Sequence, residues 1–110
     1  MWILNFSNVK FGIEPKNIIL IGDSSGASII IAVTLLLINK KLRKPDVLIL
    51  GYPVCSLSIN FFVPSLIRSF DDIMFNHKTM QFLMDNYKKK GNADTDEFLS
   101  SILIPKEKLK

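Results

Sequence analysis

A chain of 110 residues, 48% hydrophobic and carrying a single cysteine, is one small domain at most. Its net charge of +4 is modest, and of its three basic clusters (residues 40–44, 88–90 and 106–110) the first two fall where helices are expected to end, with no interleaved aromatics, so a structural reading outweighs nucleic-acid or anionic-membrane binding. Cys55 alone cannot make an internal disulfide, and no basic leader with an apolar stretch and cleavage site opens the chain, so cytoplasmic residence is the expectation.

Residues 1–12 (M-W-I-L-N-F-S-N-V-K-F-G) put Trp2, Phe6 and Val9 at helical spacing and predict the tail of an amphipathic helix closed by Gly12. Pro15 turns the chain, and Asn17 is the last polar residue before residues 18–21 (I-I-L-I), apolar without alternation. That pattern belongs to a strand covered on both faces of a parallel sheet. Residues 25–41 predict a helix in which Ile29, Ile30, Ile31, Leu35, Leu36 and Leu37 leave no polar side, so it is expected to be buried all round. A membrane span over residues 18–38 is the competing reading, with Gly22-x-x-x-Gly26 as a packing motif; Asp23, Ser24 and Ser25 inside the bilayer core speak against it.

Pro45 ends the helix, and residues 46–51 (D-V-L-I-L-G) predict a second apolar strand. Two strands joined by a helix make a right-handed βαβ unit, so the strands should be parallel. Residues 54–69 read as an irregular stretch with a short helix from Pro64. Within it Phe61, Phe62 and Val63 either cover the core or wall an acyl-binding pocket. Residues 77–90 are an amphipathic helix with Met80, Leu83, Met84 and Tyr87 on one face, Asn76 as N-cap and Gly91 as stop. A polar loop over 91–97 and a short apolar stretch over 98–105 follow, and the last five residues look like the first turn of another element. The basic clusters at Lys40, Lys41, Arg43 and Lys44, and at residues 88–90, sit at helix C-termini, where cations meet the negative end of the dipole.

The chemistry-bearing stretch is residues 17–27, N-I-I-L-I-G-D-S-S-G-A. Gly22, Ser24 and Gly26 spell G-x-S-x-G, a nucleophile elbow in which the serine caps a very tight strand-to-helix turn and its hydroxyl is pushed out of the sheet. Glycines two residues either side are expected to keep a Cβ from striking the neighbouring strand or the helix start. Composition alone produces this spacing in roughly 4% of chains this long, so the apolar strand before it and the apolar helix after it carry the identification. A Gly/Ser-rich turn of a dinucleotide-binding unit is the bland alternative; it lacks the phosphate-loop lysine and the G-x-G-x-x-G spacing.

Gly22-Asp23-Ser24-Ser25-Gly26, with the glycine, proline and apolar strand leading into it, resembles the elbow of the hormone-sensitive lipase family of α/β-hydrolases, which includes arylacetamide deacetylase and many bacterial esterases. Tyr52-Pro53, Ser69-Phe70, Tyr87 and residues 98–105 look like later landmarks of that family. The resemblance implies Ser24 as nucleophile, the Ser25 N–H as one oxyanion-hole donor, and Asp23 as a structural residue of the elbow beside Gly22 and Gly26. Ser25 and Ala27 stand where the family has alanine and glycine.

The family's H-G-G-type loop and its triad Asp and His have no counterpart at their expected places in these residues. The fold expected is therefore α/β, a partial α/β-hydrolase fold: a βαβ unit around the elbow plus a C-terminal helix, with residues 1–110 a fragment of a single domain. An internal triad of Ser24, Asp71 or Asp72, and His77 has the right order, but only a few residues separate its acid from its base, too few for a helix between them. The function implied is a serine carboxylic-ester hydrolase acting on a small hydrophobic ester, with peripheral lipid as a further partner, no nucleic acid, and no cofactor or metal. This chain by itself is expected to be inactive. A non-catalytic remnant that keeps the elbow, or a small membrane-anchored protein, are the alternatives.

Overall fold

Two short parallel strands joined by a long apolar helix organise the first part of the chain. The structure, a computed structural model, describes residues 2–58, 60, 72–73, 76–88 and 91–109. They fall into two compact units, Met1–Cys55 with Ile104–Lys110, and Ser56–Leu103.

In the first unit helix α1 (Trp2–Phe11) precedes strand β1 (Ile19–Asp23), helix α2 (Ser24–Asn39) and strand β2 (Val47–Gly51). Gly12 closes α1 in a left-handed conformation (φ +64°), its N–H donating to the Asn8 carbonyl at 2.9 Å. The stripe predicted for α1 is not what faces inward at its second half: Val9 is exposed and Ser7 is buried, while the side chains of Trp2 and Phe6 lie outside those described.

Strands β1 and β2 pair in parallel, Ile19 opposite Val47 through Asp23 opposite Gly51. That register is pinned at its start. The Asp46 carboxylate accepts the Ile18 N–H at 2.7 Å, and the Asp46 N–H donates to the Ile18 carbonyl at 2.9 Å. Arg43 reaches back to the Pro15 and Lys16 carbonyls at 2.7 and 3.0 Å. The arginine that the sequence assigns to a helix dipole therefore fastens the approach to β1.

Within these residues the strands are covered on one face. Leu20 packs with Ile18, Leu37 and Val33 in the core beneath α2 and its register partner Leu48 is half-buried, whereas Ile19, Ile21, Val47 and Ile49 are exposed. The helix, too, is covered unevenly: Ala27, Leu35 and Leu37 are buried and Ile29 is half exposed. The run 18–38 is broken by the strand-to-helix turn, and among the described residues no helix is long and apolar enough to cross a membrane.

Helix α2 ends two residues earlier than predicted. The Leu42 N–H donates to the Leu37 carbonyl (2.9 Å) and the Lys41 N–H to that of Ile38 (3.0 Å), with Lys41 left-handed at φ +52°. This is a Schellman closure with lysine where glycine is usual.

In the second unit helix α3 (His77–Lys88) starts on an Asn76 cap, whose side-chain oxygen accepts the Thr79 N–H at 2.9 Å. Of its predicted apolar face, Met80 and Met84 are half-buried while Leu83 and Tyr87 are exposed. Residues 91–99 are built on Asn92 and Asp96, which accept the N–H groups of Asp94 and Phe98 at 2.9 Å each. Ser100 is fully buried: its hydroxyl donates to the Ala93 carbonyl at 2.6 Å and accepts from the Leu57 N–H at 3.3 Å. Single 3₁₀ turns at Ser101–Leu103 and Lys106–Leu109 follow. The aromatic cluster at Phe61, Phe62 and Val63, the short helix from Pro64, and Ser69 and Phe70 lie outside the described residues.

The left-handed lysine makes the first prediction. A non-glycine residue in that conformation costs roughly 1–2 kcal/mol, so Lys41→Gly should raise stability by about 1 kcal/mol after glycine's own entropic penalty, read from the urea midpoint. A lower midpoint would show that Lys41 is held there by a contact worth more than the strain.

Candidate functional site

Ligands of open α/β sheets gather at the carboxyl ends of the strands, and here those ends are Asp23 and Gly51, paired in register. No loop residue separates β1 from α2: Asp23 ends the strand and Ser24 begins the helix. The whole change of direction falls on one residue, and Ser24 takes it with φ +49°. For a non-glycine residue that conformation is strained, and strain of this kind persists where surrounding contacts over-determine it. Ser24 is exposed, as are Asp23 and Ser25.

The contacts that impose the turn are on Gly22. A Cβ there would lie 2.7 Å from Ile30 Cδ1, 3.0 Å from the carbonyl carbon of Gly26 and 3.2 Å from the Ala27 nitrogen. The first turn of α2 therefore lies directly on the strand, which only a glycine at 22 permits. Gly26 behaves differently from the expectation set for it: a Cβ there would meet nothing within 4 Å. The room for the turn comes from Gly22, and no described neighbour demands glycine at 26.

A second left-handed residue mirrors the first. Tyr52 is the first residue past β2, as Ser24 is the first past β1, and has φ +32°. Its hydroxyl donates to Asp23 Oδ2 at 2.8 Å. That hydrogen bond and the negative charge of Asp23 beside it raise the Tyr52 hydroxyl above its ordinary pKa. Asp23 occupies the N-cap position of α2, yet its side chain makes no capping hydrogen bond.

One turn into α2, the Ser28 hydroxyl accepts the Val54 N–H at 3.0 Å and lies 3.2 Å from both the Val54 and Ser24 carbonyls, to either of which its proton can go. Ser28 thus ties the elbow residue, its own helix and the chain beyond β2 together. Neither Ser28 nor the Tyr52 contact is visible in the motif, although Tyr52's place just after the second strand, level with Ser24, is a usable signal. As the second residue of α2, Ser25 has no carbonyl one turn back for its N–H.

A nucleophilic serine needs a base, and the chain's single histidine, His77, belongs to the second unit while Ser24 belongs to the first. Asp72 is likewise in the second unit, and Asp71 lies outside the described residues.

The two glycines give contrasting expectations. Gly22→Ala pushes a methyl group into the backbone of α2 and should cost about 1–3 kcal/mol of stability, the usual range for overpacking. Gly26→Ala, in a helix with open space beside it, should be neutral or stabilising by up to about 1 kcal/mol. Thermal melts of the two variants separate these outcomes, and equal losses at both positions would contradict the packing described.

A family model for the alpha/beta hydrolase fold matches residues 1–110. Among solved structures, the chain matches carboxyl esterase 2 of the mycorrhizal fungus Tuber melanosporum with a TM-score of 0.81 at 21% sequence identity, over 98% of this chain and 34% of that one. At that identity the likeness is one of fold, and the chain spans about a third of the fungal protein's length. No curated protein matches this chain.

Proposed function

The chain belongs to the alpha/beta hydrolase fold family, and on that footing we propose that it carries the nucleophile of a serine carboxylic-ester hydrolase, of the hormone-sensitive lipase branch. The observation that carries this reading is the backbone of Ser24, left-handed and exposed at a junction with no loop between strand and helix. Nothing in a plain strand-to-helix connection requires a non-glycine residue there. An attacking hydroxyl does.

The Ser24 hydroxyl attacks the ester carbonyl carbon, and the carbonyl electron pair moves onto oxygen. A histidine takes the Ser24 proton and returns it to the departing alcohol, leaving an acyl-enzyme. Water then repeats the sequence, giving its proton to the same base and releasing the acid. The Ser25 N–H, unused by the helix and at its positive end, is one donor to the oxyanion. No cofactor enters these steps. The substrate is a small ester with a hydrophobic acyl group, and cytoplasmic residence suits the exposed single cysteine, Cys55.

The base and its aspartate are proposed to come from residues other than these 110, within the same domain. The first unit contains no histidine, and the exposed apolar face of Ile19, Ile21, Val47 and Ile49 fits a sheet with a second covering layer.

In the full-length protein Ser24→Ala should lower p-nitrophenyl butyrate hydrolysis by on the order of 10⁴-fold or more, with the fold kept. More than a trace of remaining turnover removes Ser24 from the role. Residues 1–110 expressed alone should show no Ser24-dependent turnover and should self-associate on size exclusion, because bare apolar sheet surface and strand edges favour aggregation. A monomer whose activity vanishes in Ser24→Ala would instead point to His77 with Asp71 or Asp72.

A further inference from the structure

We propose that Tyr52 is a positioning residue: its hydroxyl holds the Asp23 carboxylate away from the first N–H groups of α2, so that the Ser25 N–H stays open to the reacting oxygen. The inference rests on the reading of Ser24 and Ser25 given above.

Aspartate is among the strongest helix N-caps, its carboxylate ordinarily accepting the N–H of the second or third helical residue, and a negative charge at a helix N-terminus is favoured by the dipole as well. Asp23 stands at that position with an extended backbone (φ −125°, ψ 156°), the conformation N-caps usually have. The second and third residues of α2 are Ser25 and Gly26. Left to itself, Asp23 would be drawn toward those N–H groups, one of which the reaction needs. A carboxylate oxygen on the Ser25 N–H would stand where the oxyanion has to form, and would repel it.

The cap is not made. Asp23 Oδ2 accepts the Tyr52 hydroxyl at 2.8 Å instead. The sheet arranges this. Gly51 is the register partner of Asp23, and a Cβ at 51 would come within 3.4 Å of Asp23 Cβ, so the absence of a side chain there leaves Asp23 free to lean across β2. The left-handed Tyr52 that follows, with φ +32°, supplies the donor. Tyr52 is 75% exposed, so apolar burial does not account for it. A tyrosine hydroxyl is protonated, and therefore a donor, throughout the neutral range, and the contact with Asp23 moves its pKa further up.

The test compares variants of the full-length protein in p-nitrophenyl butyrate hydrolysis, with Ser24→Ala as the first control. A Ser24→Ala variant that still turns over the ester overturns the nucleophile reading itself, before Tyr52 is considered. With that control inactive, Tyr52→Phe should lower kcat on the order of tenfold or more while KM stays within about twofold, since removing a single oxyanion donor outright typically costs more than that. Adding Asp23→Ala to Tyr52→Phe should restore most of the lost kcat, because the competing carboxylate is gone. A residue that merely braced the turn would give a double variant at least as impaired as the single one. That result overturns the proposal, as does a Tyr52→Phe variant with wild-type kcat. The melting temperature of Tyr52→Phe should not fall, because Asp23 gains a cap as it loses the phenol; recovery of that variant unfolded also overturns the proposal.

Discussion

The first turn of α2 is pressed against β1 with nothing between them, and most of the first unit follows from that. A strand ending at Asp23 and a helix starting at Ser24 leave one residue to reverse the chain. Ser24 can do so only in a left-handed conformation, and the helix can settle only because Gly22 offers no side chain to the Ile30 methyl group or to the backbone of Gly26 and Ala27. With the start of α2 fixed, its direction along the strand is fixed, and the return strand has to run parallel.

Separate fastenings then hold the two ends of the unit. At the amino ends of the strands the Asp46 carboxylate and N–H take both polar groups of Ile18, and Arg43 ties down the chain just before it. At the carboxyl ends Ser28 joins α2 to Val54, and Tyr52 joins β2 to Asp23. The chemistry differs with the task. A charged group meeting main-chain N–H at the amino ends sets register, where firmness is all that is needed. At the carboxyl ends the hydroxyls of Ser28 and Tyr52 fix orientation and leave the first N–H groups of α2 without a side-chain cap.

Much of this was legible in the sequence because it is local. G-x-S-x-G between an apolar strand and an apolar helix states the elbow, and β1, α2, β2 and α3 fall within a few residues of their expected limits. The Asn76 cap was equally readable. What escaped depends on contacts across the chain. The apolar run of Ile18, Ile19, Leu20 and Ile21 asks for cover on both faces, but it does not say which element supplies it: α2 covers one, and Ile19 and Ile21 on the other are exposed. The motif assigns the same steric role to Gly22 and Gly26; only the position of α2 shows that the crowding is at Gly22. Ser100 gave no sign of its burial, since a serine that satisfies the Leu57 N–H and the Ala93 carbonyl looks in sequence like any loop serine. Lys41 hid the end of α2, because the usual glycine signal is missing.

Among the described residues three non-glycine residues adopt the left-handed conformation, Ser24, Lys41 and Tyr52, and they do not have equal standing. Strain of this kind costs of order 1–3 kcal/mol per residue, a noticeable fraction of a small domain's total stability. At Lys41 only helix closure is served, and glycine does that as well or better. At Ser24 and Tyr52 glycine would relieve the backbone but remove the hydroxyl that the position presents, outward in one case and toward Asp23 in the other. The two strained residues stand one position beyond a register pair, Asp23 and Gly51, so the sheet itself sets both at its carboxyl edge. A strain that local closure can explain is found at one helix end. A strain repeated at two paired strand ends, each time on a hydroxyl-bearing residue where glycine would relieve the backbone, is a feature that helix closure does not explain and that the proposed role of Ser24 as nucleophile does.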